Sequence, residues 1–132
     1  MSTDSGNREP GKKEEDLWRI PQILAVEVIR VRYGKPIEYF MKSKPVQIQE
    51  AMEFLVKTSE EFPIRALSPA LFVEDFPVTE VSHVSENLYR FVAPGPEFEA
   101  KTGATISIGW AGIRGKKVIT NFRFQIDREE NR

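Results

Sequence analysis

Two stretches, ATISIGW at residues 104–110 and KKVITNFRFQID at residues 116–127, decide how this chain is read, because each alternates apolar and polar residues on either side of a Gly-rich turn. Alternation with period two is the mark of a strand with one face buried and one face wet, and two such runs joined by a short turn predict an antiparallel hairpin. In the second run Val118, Thr120, Phe122, Phe124 and Ile126 fall on one side, and Lys117, Ile119, Asn121, Arg123 and Gln125 on the other.

Working outward, residues 78–85 and 88–93 predict a second hairpin around Ser85, Glu86 and Asn87. Residues 23–33 are rich in β-branched side chains and are separated from residues 37–42 by Gly34 and Lys35, which predicts a third hairpin. There Gly34 is expected to take the positive φ of a type II′ turn and Pro36 to open the return strand. Val26 and Val28 share a face with Arg30 and Arg32, so the first of these strands is expected to be buried at its start and exposed at its end.

Between these hairpins, Pro45 is suited to the first turn of a helix. Ile48, Ala51, Met52, Leu55, Val56 and Phe62 follow at spacings of three and four, leaving Gln47, Glu50, Glu53, Lys57, Glu60 and Glu61 outward. That spacing predicts an amphipathic helix ending near Phe62, before Pro63. Prolines at 63, 69 and 77 interrupt the next segment, which is expected to hold a short helix from Ser68 or an edge strand. Pro94, Gly95 and Pro96 force a loop, and Gly103 is expected to interrupt the strand that follows. The expected fold is α+β, an antiparallel curved sheet of about five to six strands with one main helix packed across it.

A chain of 132 residues is the length of one domain and buries about two-thirds of its unfolded surface. Residues 1–16 are polar and aperiodic and are expected to be a disordered tail, with residues 17–132 forming the domain and Leu17, Trp18 and Ile20 docking the tail on it. Cysteine is absent, which excludes thiol chemistry, thiolate metal sites and disulfides. No secretory pattern precedes the domain, and the longest apolar run, residues 23–31, is interrupted by Glu27 and Arg30 and is too short to span a bilayer. A cytoplasmic protein with no membrane partner is expected.

The net charge of -1 conceals a segregated pattern. Residues 30–44 hold five basic side chains (Arg30, Arg32, Lys35, Lys42, Lys44) against Glu38; residues 47–80 are acidic; residues 101–128 are basic again. If the two basic segments were neighbouring strands, Arg30, Arg32, Arg114, Lys116, Lys117 and Arg123 would build one basic surface able to attract a polyanion or an acidic partner.

Candidates for chemistry are few. His83 is the only histidine, so imidazole acid–base work would depend on it. Asp75 lies among Phe72, Val73 and Phe76, where an apolar setting would raise a carboxyl pKa and suit a general base. Those two are the weak catalytic candidates. Phe72, Asp75, Phe76 and Trp110 are the expected lining of an apolar ligand pocket between helix and sheet. The segment GWAGIRGKK at residues 109–117 lacks the Gly-Lys-Ser/Thr ending of a phosphate-binding loop, and its Gly-x-x-Gly sits between strands rather than helices, so it is turn chemistry. Tyr89 and Phe91 with Phe122 offer aromatic surface, but Phe122 and Arg123 point to opposite faces, which splits any base-stacking platform. No metal site and no cofactor are expected.

With no catalytic constellation, the expected function is a non-catalytic binding or assembly module, its partner a second copy of itself or another protein. The alternative is a small-ligand protein or minimal enzyme with an apolar pocket. Nucleic-acid binding through the basic strands ranks third, because the sequence pI is about 5.9.

Overall fold

The computed structural model describes residues 19–41, 43–63, 68–95, 98, 100–110 and 117–132. In chain order the strands are β1 (Ile23–Met41), β2 (Lys44–Thr58), β3 (Pro69–Val73), β4 (Phe76–Val78), β5 (Glu80–Ser85), β6 (Leu88–Pro94), β7 (Thr105–Trp110), β8 (Lys117–Arg123) and β9 (Arg128–Asn131). They form a five-stranded sheet in the order β9-β1-β2-β6-β5 and a four-stranded sheet in the order β4-β3-β7-β8. Every neighbouring pair is antiparallel except β9 and β1, which run parallel.

The architecture corrects the expected α+β fold: among the described residues there is no helix, and the molecule is all-β. The segment read as an amphipathic helix is β2, followed by irregular chain at residues 59–63. The physical reason is a sequence that satisfies two periods. Val46, Ile48, Met52, Phe54, Val56 and Thr58 also recur with period two. Met52, Phe54 and Val56 point into the main core, while Ala51, Glu53 and Leu55 between them lie on the opposite face. Pairing with β1 between Lys44 and Thr58 and with β6 between Ala51 and Lys57 satisfies much of the backbone, and this tertiary pairing overrides the helical preference of its Glu, Gln, Ala and Leu residues.

The expected turn at Gly34 is corrected as well. β1 runs through it with a register irregularity between Arg32 and Ile37, and the chain reverses only beyond Met41, where Ser43 takes a φ of 69°. Gly34 instead donates its N–H to the carbonyl of Arg132 at 2.9 Å, tying the β1 irregularity to the end of β9. The hairpins predicted at residues 78–93 and 104–127 are present as β5–β6 and β7–β8, and the proline-interrupted segment supplies β3 and the edge strand β4. Gly103, at φ 95°, precedes β7 in a turn.

Between the sheets lies the main core: Val28, Met52, Phe54, Val56, Tyr89 and Phe91 from one side meet Leu71, Val73, Ile106, Ile108 and Trp110 from the other. Phe98 and Phe124 pack on Phe54 at ring separations of 6.0 and 6.1 Å, and Phe62 meets Trp110 edge-on at 5.6 Å. A second, smaller cluster joins Ile48, Ala51 and Val92 with Tyr33, Ile37, Tyr39 and Val46, so the far part of the β1–β2 hairpin has a core of its own. The chain passes between sheets at Asp127, whose N–H donates to the Val28 carbonyl (2.8 Å) and whose carboxylate accepts from the Val28 N–H (2.7 Å).

Candidate functional site

The β3–β4 turn brings two of the predicted pocket residues together. Glu74 sits in the left-handed region at φ 54°, its N–H donating to the Thr105 carbonyl (2.8 Å) and its carboxylate accepting from the Thr105 N–H (2.8 Å). This clasp sets Asp75 and Phe76 beside residues 100–104, and together they line an open cleft of about 550 Å³. The cleft wall is a loop, where a helix had been expected.

The other two pocket residues are elsewhere. Trp110 is 1% exposed and packed edge-on against Phe62 within the main core, not along a groove. Phe72 alternates with the core residues Leu71 and Val73 and therefore faces outward on the four-stranded sheet, where the Lys117 ammonium lies 4.7 Å above its ring. Lys117 is also 3.9 Å from the fully exposed Asp75 carboxylate, a spacing and exposure that give it little energetic weight.

His83 is held in a structural arrangement. Its ring stacks on Tyr89 at 4.5 Å and 4°, and its Nε2 is 3.1 Å from the Glu86 carbonyl and 3.8 Å from the Glu61 carboxylate. The Tyr89 hydroxyl accepts the Phe62 N–H at 2.9 Å; burial pushes its pKa above the ordinary tyrosine value, and the Phe62 hydrogen bond partly offsets this.

The two basic segments are not neighbouring strands, the condition on which one basic surface was expected: β1 belongs to the five-stranded sheet and β8 to the four-stranded one. Arg30 is half-buried, facing the same side of its sheet as Met52, and Arg32 pairs with Glu129 at 3.1 Å. Arg123 donates to the Thr105 hydroxyl at 2.6 Å. Arg114 and Lys116 lie outside the described residues, as do the tail and its expected anchors Leu17 and Trp18.

An ion cluster that sequence reading left as an outward helical face lies on the outer side of the five-stranded sheet. Glu53, 4% exposed between Ile29 and Val92 on neighbouring strands, accepts both terminal nitrogens of Arg132 at 2.9 and 3.2 Å, with Arg90 Nε 3.7 Å away. The Glu53 carboxylate pushes the Arg132 pKa up, and Arg132, followed by Arg128, holds the Glu130 carboxyl below the ordinary range. Arg128 pairs with Glu27 and Glu130, so β9 is fastened to β1 and β2 by charge as well as by its ladder.

The sheet edges differ sharply. Unpaired N–H and C=O groups on an edge strand are a template for another strand, and proteins blunt them with short length, proline, charge or bulges. β4 is three residues long and contains Pro77; β9 is four residues long and carries Arg128, Glu129 and Glu130. β5 is polar and has a register shift between His83 and Ser85. β8 is different. It carries Lys117 and Arg123 and has a register irregularity between Ile119 and Arg123, but it is seven residues long, its far side is unpaired among the described residues, and it exposes Val118 and Ile119, at 52% and 68%, next to each other. Beside it, residues 20–23 and 118–121 line a small crevice of about 220 Å³. Sequence reading placed Ile119 correctly opposite Val118, but an edge position leaves no local signal.

Among the described residues no group of three His, Asp or Glu side chains is placed to hold a metal ion, and no helix is long and apolar enough to cross a membrane. Comparison of the chain with protein-family models, with curated proteins and with solved structures found no match.

Proposed function

We propose that this protein is a non-catalytic binding and assembly module that takes up a partner's β-strand along the free edge of β8. The observation that carries the reading is the pairing of an open backbone edge with the adjacent exposed Val118 and Ile119, while each of the three other edge strands is shorter and exposes at most one large apolar side chain. Main-chain hydrogen bonds to an added strand supply affinity in this mode, and side chains alternating across the edge supply selectivity. Covering the exposed part of Ile119 alone is worth about 1–2 kcal/mol.

A photo-crosslinking amino acid placed at Ile119 tests this reading in cells that make the protein. A discrete adduct is expected, and it should vanish when Asn121→Pro removes a main-chain donor from the edge strand while the melting temperature stays close to that of the parent. If position 119 gives no more adduct than an exposed control position such as Leu24, β8 is not a docking edge.

A second reading, small-ligand binding, is favoured by the cleft that holds Asp75 and Phe76. It predicts a ligand-induced rise in melting temperature that Phe76→Ala removes.

A further inference from the structure

We propose that Trp18 of this chain seats in the crevice beside β8, against Val118 and Ile119, so that a partner strand must displace it to reach the edge. The displacement rests on the reading of β8 as a docking edge; the seat itself does not. Residues 1–18 lie outside the described residues, and the first described residue, Arg19, is one residue short of the crevice lining, which starts at Ile20.

The crevice has residues 20–23 on one side and residues 118–121 on the other, and its volume is about 220 Å³. That is below the roughly 300–1,000 Å³ of small-ligand sites, so it suits one large side chain better than a metabolite. Its first wall is fixed. The Gln22 carbonyl accepts the Ser59 N–H at 2.9 Å, the Gln22 N–H donates to the Ser59 hydroxyl at 3.2 Å, and Arg19 pairs with Glu60 at 3.2 Å. Ile20 and Ile23 pack on the main core. Two residues of chain span at most about 7 Å, which keeps Trp18 within reach of this wall. Ile20 precedes Pro21, which favours an extended backbone there, and side chains two apart in an extended chain share a face. An extended path through Arg19 therefore turns Trp18 to the side of Ile20, while Arg19 turns to Glu60.

The tether selects this occupant. A side chain two residues from the lining is presented at an effective concentration on the order of millimolar, which an untethered one rarely reaches. Burial of an indole removes about 150–250 Å² from water, and the apolar surface to receive it is the exposed part of Val118 and Ile119. Charge agrees with the placement. The three residues before Leu17 are Glu14, Glu15 and Asp16, and β8 carries Lys117 and Arg123, so the segment and the edge have opposite sign. A strand added along β8 needs Val118 and Ile119 uncovered, so the affinity for a partner is reduced by the fraction of chains whose seat is empty.

The experiment places the photo-crosslinking amino acid at Ile119 in the purified full-length chain, with no other protein present. A link within one chain is expected, joining the tryptic peptides of residues 118–123 and 14–19 in mass spectrometry. Trp18→Ala is expected to lower the yield of that link about tenfold, the factor set by losing one buried aromatic side chain, and Trp18→Phe to keep most of it. In cells that make the protein, Trp18→Ala is expected to raise the partner adduct from position 119 by at least about threefold.

A link of equal yield in the parent and in Trp18→Ala overturns the seat, as do links spread evenly over residues 1–18. Failure of the docking edge is separate. A partner adduct formed equally by the parent and by Trp18→Ala refutes the displacement and leaves the edge standing. A link within the chain that depends on Trp18, with no partner adduct in either protein, keeps the seat and refutes the edge.

Discussion

Replacing Arg132 with alanine should unfasten the outer face of the five-stranded sheet. Glu53 is 4% exposed, lies between Ile29 and Val92 on the neighbouring strands, and receives two charge-assisted hydrogen bonds from Arg132. Removing one partner of a buried ion pair strands the other and costs about 3–5 kcal/mol. Here the figure needs reducing, because the Arg132 side chain is 37% exposed and Arg90 Nε remains 3.7 Å from the carboxylate. We expect a loss of about 2–3 kcal/mol. For a protein whose total stability is on the order of 5–15 kcal/mol, that is a large fraction.

Urea denaturation measures the change, and an unchanged slope would show that the unfolded surface is the same in both proteins. The decisive comparison adds Glu53→Leu with Arg132→Ala. The apolar Ile29 and Val92 already flank the site, so the double variant should recover most of the loss, with a coupling energy of about 1–3 kcal/mol. An Arg132→Ala protein within about 0.5 kcal/mol of the parent would refute the reasoning, since surface substitutions ordinarily fall within that range. So would a double variant that behaves as the sum of the singles.

Tyr89→Phe removes the acceptor of the buried Phe62 N–H and should cost about 1–3 kcal/mol by urea denaturation. The same residue gives a pH dependence: with its folded pKa raised above the ordinary 10.0, its contribution is fully present below that value and is lost as pH rises through the higher folded one. Stability measured across the alkaline range should therefore fall less steeply in Tyr89→Phe, and an identical slope in both proteins would count against the assignment. Asp127→Ala leaves the Val28 N–H without its carboxylate at the crossing between sheets and should cost about 1–2 kcal/mol, whereas Asp127→Asn, which keeps an acceptor oxygen, should cost less. Equal losses in the two Asp127 variants would show that the acceptor does not matter. Val118→Lys, which puts a charge on the exposed β8 edge, should abolish the adduct formed from position 119 without changing the melting temperature by more than a few degrees, and an undiminished adduct would count against the docking edge.

Much of the fold was legible where short runs of strand-forming residues are bounded by turn residues. Residues 88–93 and 117–123 lie beside turn residues in strand-length runs, and both formed strands of the expected antiparallel hairpins. Residues 45–62 were misread because their apolar residues fit spacings of three and four as well as two, and their Glu and Gln content favours a helix when isolated. Gly34 was misread for a related reason. A glycine between β-branched runs suggests a turn, yet β1 runs through Gly34, whose N–H donates to the Arg132 carbonyl and where a Cβ would meet that oxygen at an ordinary 3.7 Å. Of the predicted pocket, Asp75 and Phe76 do share a cleft, but Phe72 and Trp110 fall on opposite faces of the same sheet because the alternation of β3 turns one outward and the strand β7 turns the other inward.

By itself the sequence determined the local facts: no thiol chemistry, period-two runs able to pair, the break at Gly103, and the order in which charge changes sign along the chain. These follow from side-chain identity and short spacings, which do not depend on what lies beside them. Only the tertiary structure decided that residues 44–58 became a strand, that Glu53 was buried against Arg132, and that β8 ended its sheet with Val118 and Ile119 uncovered. Each of those depends on which strand lies next to which, and strand neighbours are chosen by contacts between residues far apart in the chain, where no local pattern records the choice.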